Sequence, residues 1–173
     1  MAFSNIEIKA KTKNPDFIRE FLLAHGADYR GKDHQVDTYF NVSNGRLKLR
    51  EGNIENSLIQ YTRDDESGPK KSDFRLLELT ETHLLKDILA YSLGIKVVVV
   101  KEREIYFIEN IKFHIDIVRD LGRFVEIEAS NKDVNISLED LHAQCSFYKT
   151  AFRIPDEDLI QYSYSDMLLR VPE

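Results

Sequence analysis

The chain has 173 residues, 42% of them hydrophobic and 31% charged, with 24 Lys+Arg against 30 Asp+Glu and a formal net charge of −6. That length supplies one good core or two very small ones, and the acidic balance argues against bulk binding to nucleic acid or to an anionic membrane. A single cysteine, Cys145, excludes an internal disulfide; with no signal-peptide pattern in MAFSNIEIKA and no apolar run of bilayer length, a cytoplasmic protein is expected.

Residues 5–11, NIEIKAK, alternate: Asn5, Glu7, Lys9 and Lys11 share one face and Ile6, Ile8 and Ala10 the other, the period of a strand. NPDFIREFLLAHG then reads as a helix. Asn14 is its N-cap, Pro15 its first position, Gly26 its stop, and Phe17, Ile18, Phe21 and Leu22 its apolar stripe. QVDTYFNV is a strand with Gln35, Asp37, Tyr39 and Asn41 on one face, and the turn signal SNG folds it back onto GRLKLRE. NSLIQYTR is a further strand, residues 64–73 (DDESGPKKSD) a polar loop, and residues 74–79 another strand. TETHLLKDILAYSLG is a second helix, striped by Leu84, Leu85, Ile88 and Leu89 and stopped by Gly94.

KVVVVKEREIYFI is a strand carrying Lys101 and Arg103. A turn at Glu109–Asn110 leads to IKFHIDIV, where Lys112, His114 and Asp116 share a face. DLG turns the chain into RFVEIEA, with Glu126 and Glu128 together. Ser137, with Asp140 three residues on, caps a last long helix striped by Leu141, Cys145, Tyr148 and Phe152; Pro155 limits it, and YSYSDMLL forms a short closing helix. About eight strands and three long helices, with no repeat or linker, predict one α+β domain over residues 1–173 dominated by antiparallel pairing.

The other strand faces are crowded with charge. Arg46, Lys48 and Arg50 share one face of GRLKLRE, Lys101 and Arg103 add to the basic set, and carboxylates gather at Glu126 and Glu128. Pattern alone admits two arrangements: an open sheet with its charged face in water, or the inside of a barrel. Like charges on one face repel unless something neutralises them. Glu-x-Glu beside strands bearing Asp and Glu offers hard oxygen ligands to a divalent cation. Cations and carboxylates on one surface can grip a metal-bound polyphosphate, Arg and Lys holding the phosphate oxygens.

The ordered series NIEIKAK, QVDTYF, GRLKLRE, LIQYTR, VVVKERE and FHIDIVRDLGRFVEIE resembles the CYTH superfamily. These are the triphosphate tunnel metalloenzymes, which include class IV adenylate cyclases and thiamine triphosphatases, and the chain looks closest to the bacterial class IV cyclase branch. The resemblance implies a closed eight-stranded antiparallel β-barrel with a charged tunnel inside and helices packed outside. By position, Lys9 matches the lysine of the family's Glu-x-Glu-x-Lys signature, and Arg46, Lys48, Arg50, Lys101 and Arg103 match its basic ladder. Glu7, Asp116, Glu126 and Glu128 match the acidic residues that hold Mg²⁺ or Mn²⁺. Lys11, on the face of Lys9, and His114, between Lys112 and Asp116, join the phosphate-binding set. Tyr39 is a candidate to orient or deprotonate an attacking water, although a tyrosine pKa of about 10 makes it a poor base unless cations lower it.

Two positions depart from the family pattern. Asn5 stands where the first Glu of the signature belongs. Thr62 stands where many members carry a strand lysine, with the neighbouring Arg63 expected on the opposite face. The resemblance implies an enzyme acting on a nucleoside or inorganic triphosphate, by hydrolysis or by cyclisation of ATP to cAMP and pyrophosphate. A non-catalytic polyphosphate or nucleotide binder is the alternative that Asn5 and Thr62 motivate. The expected partner is a small-molecule triphosphate, without nucleic acid or membrane, and a homodimer is compatible with the sequence.

Overall fold

The computed structural model describes residues 2–64 and 67–170. Its strands are β1 (Phe3–Lys11), β2 (Asp28–Phe40), β3 (Arg46–Glu51), β4 (Ser57–Arg63), β5 (Lys70–Glu78), β6 (Ile95–Ile108), β7 (Ile111–Val118) and β8 (Gly122–Ser130). The helices are α1 (Pro15–Ala24), α2 (His83–Leu93), α3 (Leu138–Ala151) and α4 (Tyr164–Arg170). The strands close into a barrel in the order β1-β5-β4-β3-β2-β6-β7-β8, all pairs antiparallel. This is the α+β barrel that the resemblance implied, and the open-sheet arrangement falls away.

Closure makes the strand alternation decisive, because one face of every strand turns inward. The apolar face turns outward on β1, β7 and β8, where Ile6, Ile8, Phe113, Ile115, Val125 and Ile127 pack against Ile18 and Leu22 of α1, Leu141 and Cys145 of α3, and Phe152 just after it. Each such side chain removed from water stabilises the fold by about 1.5–3 kcal/mol. The main apolar core therefore lies outside the barrel, between its wall and two helices. Both helices begin as the sequence predicts: Asn14 accepts from the Phe17 amide, and Ser137 from the Asp140 amide.

Three expectations change. β2 begins at Asp28, ahead of the expected Gln35: its first half pairs with β6 and is largely exposed apart from the polar Asp33, and so carries no apolar alternation to read. A bulge there falls at Gly31, whose φ of +115° is costly for other residues. β5 begins at Lys70, within the expected polar loop; Asp65 and Glu66 of that loop lie outside the described residues. The expected stripe of α2 does not enter the core. Leu84 and Ile88 are exposed, Leu85 and Leu89 only half-buried, because α2 lies outside on the wall with few contacts to it.

The C-terminal segment closes one end of the barrel. Leu159 bridges to Ala10, the Ile160 amide donates to the Lys9 carbonyl at 2.9 Å, and Lys70 Nζ donates to the Ile160 and Gln161 carbonyls at 2.9 and 3.1 Å. Arg46 ties the start of α4 in place through Ser163 Oγ (2.9 Å) and Asp166 Oδ2 (2.7 Å). Among the described residues, no helix is long and apolar enough to cross a membrane.

Candidate active site

Inside the barrel, Glu7 and Lys9 come from β1, Asp37 and Tyr39 from β2, and Lys48 and Arg50 from β3. Tyr61 and Arg63 come from β4, Lys101 and Arg103 from β6, Lys112 and His114 from β7, and Glu126 and Glu128 from β8. Their free space is only ≈ 100 Å³, because the charges have closed onto one another. Ser163 and Tyr164 line the closed end. At the other end the tunnel opens between Phe3, Glu55, Leu76, Lys112 and Glu128 into a vestibule of ≈ 810 Å³.

Two carboxylates organise the cations. Arg50 grips Asp37 with two bonds of 2.9 Å, Lys101 Nζ reaches the same carboxylate at 2.7 Å, and Lys48 lies 3.4 Å away. Burial by itself would raise the Asp37 pKa, but Arg50, Lys101 and Lys48 outweigh it and hold it well below the usual carboxylate range. Burial lowers Lys101 to about 7, with Asp37 opposing the fall. Arg103 clamps Asp116 at 2.8 and 2.7 Å and also reaches Glu126 at 3.0 Å. Tyr164 OH donates to Asp116 Oδ2 at 2.7 Å, so the closing segment shares this network. Lys9 sits 4.0 Å from the centre of the Tyr164 ring, and burial, opposed by Glu126, lowers its pKa to about 8.

The acidic side is less fully matched. Glu7 takes Arg63 at 3.1 Å. Burial would raise Glu126, but Lys9 and Arg103 hold it well below the usual range. Glu128 accepts a bond from Asn5 Nδ2, yet burial, aided by the Glu7 and Glu126 charges and opposed by Lys112, lifts its pKa to about 7. His114, Asp116 and Glu126 have ligand atoms all within 4.8 Å of one another. Both ring nitrogens of His114 are buried without a hydrogen bond; Nδ1 lies 3.9 Å from Glu126, too far for one. Burial first, then Arg103, pushes this imidazole down to about 3, so it is neutral and has a lone pair to offer. A hard divalent cation fits this donor set: oxygens dominate, the carboxylates repel one another, and an imidazole nitrogen lacks a partner.

Most predicted residues meet in one cavity; Lys11 and Arg46 lie outside it, Asp116 sits behind its lining, held by Arg103 and Tyr164, and Tyr39 takes a different character from the one expected. Lys11 is exposed at the end of β1 and does not line the tunnel. Arg46 lies beyond the lining, tied to Ser163 and Asp166. Tyr39 lines the tunnel, but burial, with the Asp37 charge, pushes its pKa up to about 12. It is a protonated phenol 3.3 Å from Tyr61 OH, a poor base in the ligand-free tunnel.

The expectation for Thr62 and Arg63 is reversed. Thr62 is exposed, and Arg63 points inward beside Tyr61 and Ile59. The two-residue period of β4 carried that signal. The tunnel keeps its cation on this strand, and the departure at Thr62 disappears. Glu55 and Tyr164 were not legible, because both come from non-strand segments that tertiary contacts bring to the tunnel. Buried Asp33 accepts from the Ile54 and Glu55 amides at 2.9 Å and so holds Glu55 at the mouth, where it pairs with Lys112.

A model of the CYTH domain matches residues 4–164. A Methanocaldococcus jannaschii protein named "putative adenylate cyclase" is 28% identical, over 94% of this chain and 97% of its own. A Pyrococcus furiosus conserved hypothetical protein superposes with a TM-score of 0.78 at 20% identity, covering 94% and 98% of the two chains. A "putative adenylyl cyclase" from Hippeastrum, described as having a dominant triphosphatase activity, superposes with a TM-score of 0.59 at 11% identity, over 96% and 94%.

Proposed function

The chain belongs to the CYTH domain family, and from that premise we propose that it is a divalent-metal-dependent enzyme that hydrolyses a triphosphate at its terminal phosphorus. One observation carries the reading: seven cationic side chains (Lys9, Lys48, Arg50, Arg63, Lys101, Arg103, Lys112) against five carboxylates line a tunnel open at one end. A phosphate chain is an anion narrow enough to thread such a tunnel, and each phosphate oxygen replaces an internal carboxylate as the partner of an Arg or Lys.

The closed end sets direction. A triphosphate enters terminal phosphate first and leaves any organic group in the vestibule. The His114–Asp116–Glu126 cluster lies at the closed end, where Asp116 meets Tyr164, and so beside the terminal phosphate. Mg²⁺ or Mn²⁺ would be held by Glu126, Asp116 and His114, with Glu7 and Glu128 nearer the mouth, and would supply charge stabilisation to the phosphoryl oxygens. Arg50, Lys101 and Arg103 fix the chain in line, and Lys9 neutralises charge on the terminal oxygens. Tyr39 and Tyr61 donate hydrogen bonds at the closed end.

Cyclisation at the α-phosphorus is the second reading, favoured by Glu7 opposite Glu128 nearer the mouth. One set of assays separates the readings. Calorimetry with tripolyphosphate and ATP, with and without Mn²⁺, reads binding; phosphate, pyrophosphate and cAMP are measured on the same samples. Phosphate release is expected, and Arg63→Ala should weaken binding by about 1.5–3 kcal/mol, the scale of a hydrogen bond to a charged group. Pyrophosphate with cAMP would select cyclisation. Tight binding without turnover would select the non-catalytic binder, and no binding would overturn the tunnel assignment.

A further inference from the structure

Residues 52–56 join β3 to β4 and are tied down far more than a short hairpin loop needs in order to close. The carboxylate of Asp33, fully buried on β2, accepts from the Ile54 and Glu55 amides and from Gln35 Nε2, each at 2.9 Å. Gln35 is equally buried, and its Nε2 also donates to Glu55 Oε1 at 3.0 Å. Gly52 is needed for this fit, since a Cβ there would lie 2.6 Å from both Asp33 oxygens and 2.7 Å from the Glu55 carbonyl oxygen. Asn53 Oδ1 accepts from the His34 amide at 2.6 Å, and Asn56 Oδ1 from the Gly52 amide at 3.0 Å. Burying a carboxylate is costly unless it is well bonded. Here the bonds to Asp33 and Gln35 fix the backbone and the carboxylate of one residue, Glu55, at the tunnel mouth.

Glu55 in turn holds Lys112, whose Nζ donates to Glu55 Oε2 at 2.5 Å. On the barrel wall, however, the carboxylate beside Lys112 is Glu128, its register partner across β7 and β8. Directly opposed side chains on antiparallel strands have Cβ atoms about 4.5–5.5 Å apart, within reach of a lysine. Even so, among the described residues Lys112 forms an ion pair with Glu55 and none with Glu128, which accepts its hydrogen bond from the neutral Asn5. Resting on the tunnel and metal reading above, we propose that Asp33, Gln35 and Glu55 are positioning residues: they hold the Lys112 ammonium off Glu128 and so keep that carboxylate open to the divalent cation. Without Glu55, the next carboxylate in reach of Lys112 is Glu128. An ammonium seated there competes for the oxygens that a hard cation needs, and it repels that cation as well. Asp33 and Gln35 lie behind the tunnel lining and act only through Glu55, Asp33 at its backbone and Gln35 at its side chain.

The test is Mn²⁺ binding to the full chain without phosphate, read by calorimetry at low salt in a double-mutant cycle of Glu55→Gln and Lys112→Gln. Glu55→Gln should weaken Mn²⁺ at least fivefold, and adding Lys112→Gln should recover most of that loss. Lys112→Gln by itself should tighten Mn²⁺ less than twofold, because in the wild type the ammonium is not on Glu128. If the charges act only through their field, Lys112→Gln has the same effect in both backgrounds, and the proposal is overturned. Asp33→Asn should weaken Mn²⁺ in the wild type and change it less than twofold in the Glu55→Gln background; a further loss there would remove Asp33 from the positioning set. A crystal structure of Glu55→Gln should show the Lys112 ammonium on Glu128, and an ammonium still at the loop overturns the proposal. Wild-type protein that binds no Mn²⁺ overturns the metal reading, and this proposal with it. Mn²⁺ binding with an additive cycle overturns this proposal alone. The Glu55–Lys112 cycle decides the matter even if the Asp33 variant does not fold.

Discussion

Asp37→Asn should make the ligand-free protein weaker and its grip on phosphate stronger. Asp37 is buried and accepts from Arg50 twice at 2.9 Å and from Lys101 at 2.7 Å, with Lys48 at 3.4 Å. Removing one partner of a buried charge pair costs roughly 3–5 kcal/mol. Asparagine keeps one acceptor oxygen, so the lower end, about 3 kcal/mol, is expected. For a chain of this length each kcal/mol moves the melting temperature by about 2–4 °C, so the apo protein should melt roughly 6–12 °C earlier.

The pH dependence has a definite sign. The folded pKa of Asp37 is depressed, so its stabilisation is present above the ordinary carboxylate range and lost as pH falls through the folded value. Lys101 is already lowered to about 7, and without Asp37 it faces only Arg50, Arg103 and Lys48 and falls further. A depressed lysine makes stability rise with pH between its folded pKa and the ordinary lysine value, so the variant should recover partly at alkaline pH. Tripolyphosphate then meets Arg50 and Lys48 without their internal competitor, and its own charge favours reprotonation of Lys101. A gain of one charged hydrogen bond, about 1.5–3 kcal/mol, corresponds to at least tenfold tighter binding. The assay is thermal melting of both proteins across a tripolyphosphate titration. A variant that melts with the wild type, or that tripolyphosphate protects less, would refute the view of Asp37 as a stand-in for phosphate.

Glu128→Gln should stabilise the apo protein above neutral pH, because a carboxyl raised to about 7 loses stability as pH climbs from its unfolded value through the folded one; denaturation at pH 5 and pH 8.5 should show a gap of about 1–3 kcal/mol in the wild type that the variant lacks. Asn5→Glu replaces the donor to Glu128 with another carboxylate, so apo stability should fall by about 1–3 kcal/mol and be restored by Mn²⁺; an unchanged melt without metal would count against the pairing. Tyr39→Phe should keep turnover within about tenfold of wild type with the same pH profile, since general-base loss costs about 10²–10⁴; a collapse of that size would return Tyr39 to the base role.

Much of the barrel wall was legible because closure buries one face of each strand and leaves the alternation intact. NIEIKAK, IKFHIDIV and RFVEIEA each announced which residues turn outward to α1 and α3 and which turn inward. The signal failed where burial did not follow the period. The first half of β2 is largely exposed, and half of the apolar stripe of α2, Leu84 and Ile88, faces outward. On β4 the period holds: Ile59, Tyr61 and Arg63 share the inward face, so the tunnel receives Arg63 and Thr62 faces out.

The sign of the charge on each strand face is written in the strand alternation, and the family resemblance adds the chemistry those charges suit. The sequence could not say which cation meets which carboxylate, since that depends on register around a closed ring: Asp37 with Arg50 and Lys101, and Asp116 with Arg103. Nor could it show that one end is shut. That was decided by Leu159–Tyr164, which reach across the barrel to Lys9, Lys70 and Asp116 through contacts about 50 to 150 residues apart in the chain, a separation that no local pattern encodes.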